Sequence, residues 1–183
     1  MSTGEQKDVL VRATLPKSST YDHAGSKGCS KSRCLTCANV QNTNTFCNSG
    51  GSKTFTIRRG PLTCDTPNVV YLVRCKTCDI QYVGSSKSAF RTRFNNYKSH
   101  HRGYLKRKDA GTLGVGRVMP QLALHSHFAQ TDHHGIDDMQ FTLIDSATNN
   151  TDARKRESFW QYKLATFEPA GLNVRNVPQG EFG

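Results

Sequence analysis

Two kinds of apolar pattern stand out along the chain, separated by long polar stretches. Val69-Val70-Tyr71-Leu72-Val73 is a β-branched and aromatic run of strand length, and Ile80-Gln81-Tyr82-Val83 is a second one ending at Gly84. Their proximity predicts an antiparallel hairpin over about 69–74 and 80–84. Phe90, Phe94 and Tyr97 then recur at i, i+4, i+7. This predicts a helix over about 87–100, capped by Ser85 or Ser86, with Arg93 beside its apolar stripe. Leu122, Leu124 and Phe128 predict a short helix over about 120–130, entered at Pro120. Met139 to Ile144 predicts a third strand, over about 139–145. Ala153, Trp160, Leu164 and Phe167 predict a last helix over about 152–166, capped near Asn150 or Thr151 and closed before Pro169. Glu157 lies on that last stripe, where a carboxylate must reach solvent, pair with Arg154 or Arg156, or serve the chemistry of a site.

Elsewhere the patterning fails. Residues 1–28 are polar apart from Val9-Leu10-Val11 and read as a flexible tail or linker. Residues 29–66 carry five of the seven cysteines and few aliphatics, which predicts a Cys-rich zinc-binding segment without a conventional core. Residues 67–183 are then an α+β domain: a small, mainly antiparallel three-stranded sheet flanked by helices, with zinc-bound extensions. Gly103 to Gly116 reads as a mobile basic loop. At 183 residues and 20.3 kDa, two large domains are excluded.

Charge narrows the partners. Lysine and arginine number 25 against 14 acids, a net +11, so an acidic partner is expected and nucleic acid is the first candidate. Lys87, Arg91, Lys98, Arg102, Lys106, Arg107 and Lys108 lie on or just beyond the Arg93 helix with no acid among them, an arrangement suited to a phosphate backbone. No apolar run approaches the roughly 18 residues of a membrane span, and no secretory leader is visible, so a soluble intracellular protein without a membrane partner is expected.

An odd cysteine count with two CxxC pairs favours metal thiolates over disulfides. Cys75 and Cys78 could share a zinc ion with His127 and His133, or with His134 in place of His133. Cys29, Cys34, Cys37, Cys47 and Cys64 offer five thiolates for at most four positions. A rival pairing joins Cys34 and Cys37 to Cys75 and Cys78 as a zinc ribbon, across an interval longer than usual. His125 reads as a surface neighbour, and His100 and His101 as solvated members of the basic face.

Tyr71, Tyr82-Val83-Gly84, Arg93, Glu157 and Gly171-Leu172-Asn173 form an ordered set that resembles the GIY-YIG nuclease family. The first motif stands as Val69-Val70-Tyr71, without its outer Gly and Ile, and the second as Tyr82-Val83-Gly84. The resemblance runs from about Asn68 to Asn173 and is closest to the endonuclease domain of Penelope-like retroelements. It includes a CxxC insert in the hairpin (Cys75, Cys78) and a downstream histidine pair (His127, His133). The leader Asp8 to Ala13, the segment Arg33 to Cys37 and Cys64-Asp65 are also similar.

The resemblance implies that Glu157 is the sole protein ligand of a catalytic Mg²⁺ or Mn²⁺ and that Arg93 binds the scissile phosphate. Tyr71 and Tyr82 would orient or deprotonate the attacking water. As bases they need a pKa lowered by the metal or by Arg93; otherwise they only position the water. Tyr97 stands where the family carries His or Tyr, and Asn173 would orient a strand or a phosphate oxygen. Cys29, Cys34, Cys37 and Cys64 are favoured for a second structural zinc. The implied function is nicking of target DNA so that a reverse transcriptase of the same polyprotein, with its template RNA, can prime from the new 3′ hydroxyl. Nuclear residence follows, and the chain would be the C-terminal endonuclease portion of that polyprotein. The rivals are a non-catalytic zinc-dependent nucleic-acid-binding module and a repair nuclease of the same fold.

Overall fold

A computed structural model of the chain describes residues 24–114 and 121–174. The Val9-Leu10-Val11 run, the Asp8 to Ala13 leader and the Pro120 helix entry lie outside those residues. Two short strands, β1 (Thr45–Cys47) and β2 (Thr54–Thr56), form an antiparallel hairpin upstream of the main sheet. The main sheet contains β3 (Val69–Cys75), β4 (Gln81–Ser86) and β5 (Met139–Ser146), all antiparallel, in the order β4-β3-β5. Three helices complete the fold: α1 (Phe90–Asp109), α2 (Leu122–His127) and α3 (Asn150–Leu164). This is the expected α+β architecture.

The β3–β4 register places Tyr71 opposite Gly84 and Val73 opposite Tyr82, so these four residues share one face of the sheet. α1 covers that face. Its buried Phe90, Phe94 and Tyr97 pack with Tyr71 and with Phe141 of β5 through tilted and edge-on ring contacts at 5.2–6.3 Å. Gly84 is required by close approach rather than by its backbone angles. A Cβ there would lie 2.6 Å from the Tyr71 hydroxyl and 2.8 Å from a ring carbon of Tyr82. α3 lies along β4.

Several expectations need correction. α1 continues to Asp109, so the first part of the Gly103 to Gly116 stretch is helix. His101 and Tyr104 extend the buried stripe by two further turns and outweigh the cost of Gly103. Ser85 and Ser86 do not cap α1, because both belong to β4. The first amides of α1 are instead taken by loop carbonyls, Phe90 N–H by Thr66 and Arg91 N–H by Cys64. The α3 cap is Asn149, whose side chain accepts from Asp152 N–H at 2.9 Å, one residue before the expected position. α2 is shorter than expected, and Leu122 is exposed.

The segment upstream of the sheet does contribute to a core. Val40, Phe46, Ile57 and Leu62 join the buried cluster that contains Val69 to Val73. Phe46 and Phe55 stack at 5.5 Å and meet the Trp160 ring of α3 edge-on. The backbone of Val40 and Gln41 runs against Phe141, covering the β5 edge of the sheet. Isolated apolar residues in a polar stretch show no period, yet each finds a place on a surface supplied by the sheet.

Gly84→Ala should lower stability by about 1–3 kcal/mol in urea unfolding, because the Tyr71 phenol in its path is fully buried and cannot swing aside.

Candidate active site

Tyr71 has no exposed surface, so its hydroxyl needs partners inside the protein. Arg93 supplies one, its Nε–H donating to the Tyr71 oxygen at 2.9 Å, and the Tyr97 hydroxyl, one helical turn further along α1, lies 2.9 Å from the same oxygen. The guanidinium carbon sits 5.0 Å from the centre of the Tyr97 ring. Arg93 is thereby held at one end of β4, with only its Nε committed. Among the described residues no carboxylate forms an ion pair with it. A half-buried guanidinium with donors unused is chemically able to bind an anion.

Glu157 approaches the same place from α3. Ser85, the residue after Gly84, donates its hydroxyl to Glu157 Oε2 at 2.6 Å, and Gln161 Nε2 lies 3.4 Å from Oε1. Tyr82, Ser85, Lys87, Arg93 and Glu157 line one open cleft of about 1220 Å³, into which Asn96 and Arg154 also face. Residues distant in sequence, at 71, 82, 93, 97 and 157, are thus brought together at the end of one edge strand.

Asn173 does something different from binding phosphate. Its side-chain amide donates to the Val83 carbonyl at 2.8 Å and its Oδ1 accepts from Val83 N–H at 2.8 Å. The neighbouring Leu172 N–H donates to the Gln81 carbonyl. Asn173 is buried and pairs with the open edge of β4 as a strand would, so of the two roles expected for it the geometry supports orientation of the strand.

Protonation separates the two roles proposed for the tyrosines. Burial pushes the Tyr71, Tyr82 and Tyr97 phenols above their ordinary value, and the nearby Arg93 charge does not overcome it. Without a metal ion beside them they are neutral hydrogen-bonding groups at physiological pH, suited to positioning a water, and Arg93 alone does not make them bases. Burial likewise raises the Glu157 carboxyl, while the Ser85 hydrogen bond and the Arg93 and Arg154 charges favour its ionised form.

Two sulfur and nitrogen clusters lie apart from this cleft. Cys29, Cys34, Cys37 and Cys64 form one, and Cys75, Cys78, His127 and His133 the other; within each, the ligand atoms lie within 4.8 Å of one another. The Cys29–Cys37 and Cys37–Cys64 sulfurs are 3.6 and 3.7 Å apart. A zinc tetrahedron with bonds of about 2.3 Å has sulfur–sulfur edges of about 3.8 Å, so both donor sets could hold Zn²⁺. Cys78 Sγ lies 3.5 Å from His127 Nε2 and 3.8 Å from His133 Nε2, and His133 Nδ1 donates to Asp132 at 2.7 Å, which fixes its tautomer. The zinc-ribbon pairing is overturned, because Cys34 and Cys37 fall in one cluster and Cys75 and Cys78 in the other. Cys47 belongs to neither cluster. His134 also stays outside, its side chain 81 % exposed and beside Asp138.

The basic residues of α1 do not form one uniform face. Lys87 lines the cleft, and Arg102 and Lys106 are exposed. Lys98 lies over Phe94, and Lys108 donates to the Ala129 carbonyl. Arg91 is a correction: it pairs with Asp65 and points at Cys29 Sγ, serving the upstream cysteine group. His101 and His125 are also corrections. Both are buried, His125 completely, where α1 crosses α2; His101 continues the α1 stripe four residues after Tyr97, whereas side-chain periodicity over the six-residue α2 gave no guide to His125.

Sequence reasoning missed Ser85, Gln161 and Asp132. Gln161 sits four residues after Glu157 on a helix, a spacing that signals contact, and Asp132 adjoins His133. Ser85 gave no such signal, because its partner is 72 residues away.

Because burial disfavours the phenolate forms of Tyr71, Tyr82 and Tyr97, these groups leave stability unchanged below about pH 10 and reduce it as pH rises above that, where the unfolded chain ionises first. Phenolate absorbance at alkaline pH should therefore show the three site tyrosines ionising together with unfolding. Elemental analysis should find two zinc ions per chain; Cys64→Ser and Cys75→Ser should each lose one and lower Tm, whereas Cys47→Ser should keep both.

Comparison with known proteins fits this geometry. A family model described as the GIY-YIG catalytic domain matches residues 67–170, the span from β3 through the end of α3. Neither the curated proteins nor the solved structures give a match. With more than half of its length covered by that match, and with Tyr82, Arg93 and Glu157 lining one cleft and Tyr71 and Tyr97 packed behind Arg93, the chain belongs to the GIY-YIG family, whose domains are nucleases acting on DNA.

Proposed function

We propose that the protein is a divalent-metal-dependent DNA endonuclease that nicks target DNA for insertion of a retroelement by target-primed reverse transcription. The observation that carries the nuclease chemistry is the pairing, in one cleft, of an arginine without a counter-ion and a carboxylate held by Ser85 and Gln161. Phosphodiester hydrolysis needs a site for the phosphate charge, a positioned water and compensation for the departing alkoxide. Arg93 binds a non-bridging phosphate oxygen, already aimed by its bond to Tyr71. The Tyr82 phenol, neutral and lining the cleft, hydrogen-bonds the attacking water. Tyr71 and Tyr97 act through Arg93 by fixing its orientation. Glu157 would hold Mg²⁺ or Mn²⁺ as its one protein ligand, and the ion supplies Lewis acidity toward the phosphate and an acidified water. Lys87 and Arg154, at the rim, attract the strand.

The retroelement setting rests on the likeness to Penelope-like endonucleases. The Cys75, Cys78, His127, His133 grouping and the upstream four-cysteine grouping support it, because both fall on the residues that likeness marks. In that setting the partners are target duplex DNA and the reverse transcriptase of the same polyprotein with its template RNA, and the protein works in the nucleus.

Supercoiled plasmid incubated with Mg²⁺ tests the chemistry. The parent should convert it to the nicked form; Glu157→Gln and Arg93→Lys should each slow this at least about 100-fold while zinc content and DNA binding persist. Equal nicking by Glu157→Gln would refute the assignment. Absence of any nicking by the parent, with DNA bound, would favour a non-catalytic binding module. Nicking of bulged or flapped oligonucleotides with supercoiled plasmid and plain duplex left uncut would favour a repair nuclease.

A further inference from the structure

α3 separates the catalytic cleft from a second cleft that the chemistry above does not use. Arg154, Glu157, Ser158 and Gln161 face the first, and Arg156, Phe159, Trp160 and Lys163 face the second. At 100° per residue these two sets fall on opposite sides of the helix. The second cleft, about 820 Å³, is closed on its other side by β2 and by Arg58 and Arg59.

Its composition has two unusual features. Four cations line it, Arg58, Arg59, Arg156 and Lys163, against a single acid, Asp145. Asp145 is already committed: Arg59 and Arg156 pair with it at 3.4 and 3.2 Å, and the Trp160 indole N–H donates to it at 3.2 Å. Arg58 and Lys163 have no ion pair among the described residues. The second feature is aromatic exposure. Phe159 is 52 % exposed, braced edge-on at 5.1 Å by the fixed Trp160 ring, with Lys163 Nζ 5.7 Å from its centre. Tyr162, one turn along the outer side of α3, is 71 % exposed and belongs to the catalytic cleft. Large rings left in water beside unpaired cations are costly for a free surface and favourable for a ligand with flat faces and negative charge.

We infer that this side of α3 is a subsite for unpaired nucleic acid, in which a base stacks on Phe159 while Arg58 and Lys163 hold its phosphates. The inference rests on the nuclease reading for its context and adds a substrate class: DNA with a single-stranded segment beside the scissile phosphate. α3 is about 10–12 Å across with its side chains, a span of two or three nucleotides, so a strand leaving Glu157 can cross Tyr162 and reach Phe159. Duplex DNA cannot present base faces to Phe159 because they are stacked.

The test uses the full chain, without Mg²⁺, and fluorescence anisotropy of a labelled 16-nucleotide dT strand and of a 16-base-pair duplex. Phe159→Ala should weaken dT binding about 5- to 100-fold, the effect of losing one stacked base, and leave duplex binding within about twofold. Phe159→Trp should restore dT binding. Arg58→Ala, whose side chain is exposed, should weaken dT binding and flatten its salt dependence. Unchanged dT affinity in Phe159→Ala, with the variant folded by its melting curve, would overturn the proposal. Displacement of dT by polyglutamate equally well from parent and Phe159→Ala would also overturn it, since the cleft would then be a charge site for acidic protein. Plasmid nicking by the parent is the separate readout: its failure alone sinks the nuclease chemistry, and loss of the Phe159 effect alone sinks the subsite.

Discussion

A phenol hydroxyl sealed from water must be hydrogen-bonded inside the protein, and at Tyr71 that requirement organises the site. The partners available are Arg93 and Tyr97, both on α1, so satisfying one buried oxygen sets how α1 sits on the sheet and where the guanidinium points. Gly84 makes the arrangement possible by leaving the space that the phenol occupies. Arg93 is consequently preorganised: its stem is packed, its Nε is used, and its remaining donors face the cleft without a counter-ion. Preorganised charge is the form in which electrostatics contributes most to a transition state.

The second wall is built on the open edge of the same sheet. β4 is an edge strand, and its outward-facing Val83 amide and carbonyl would be exposed without the Asn173 side chain and the Leu172 backbone laid against the edge. α3 packs over this edge, bringing Glu157 onto Ser85. Positioning of the cleft side chains and edge protection are thus one construction, in which the residues after α3 close the strand that carries Tyr82, Gly84 and Ser85. The opposite side of α3 carries the second cleft, so one helix contributes the carboxylate and, a half-turn away, an exposed ring among cations.

The two cysteine-containing groups act at the margins of this frame. The upstream four-cysteine group lies where α1 begins, with Cys64 both a member of the group and the acceptor for the Arg91 amide. The Cys75, Cys78, His127, His133 group ties the β3–β4 turn to α2. Ions in these places would fix both ends of the Tyr71–Arg93 apparatus, in a protein whose upstream segment has only isolated apolar residues to contribute to the core.

The amino-acid sequence by itself determined the hairpin, the three strands, the stripe of α1 through Tyr97, and Glu157 as a carboxylate out of place on an apolar face. These are local or periodic signals, set by side-chain alternation and helical spacing within a few residues. It also marked Tyr71, Tyr82, Arg93 and Glu157 as an ordered set. The cysteine grouping was favoured by resemblance, and the structure excluded its rivals; only the tertiary structure decided that Arg91 serves Asp65 and Cys29, that His125 is buried, that Ser85 holds Glu157, and that Asn173 pairs with Val83. Each of those depends on contact between residues tens of positions apart, and a contact of that kind has no period along the chain: it exists only once packing has brought the two ends together.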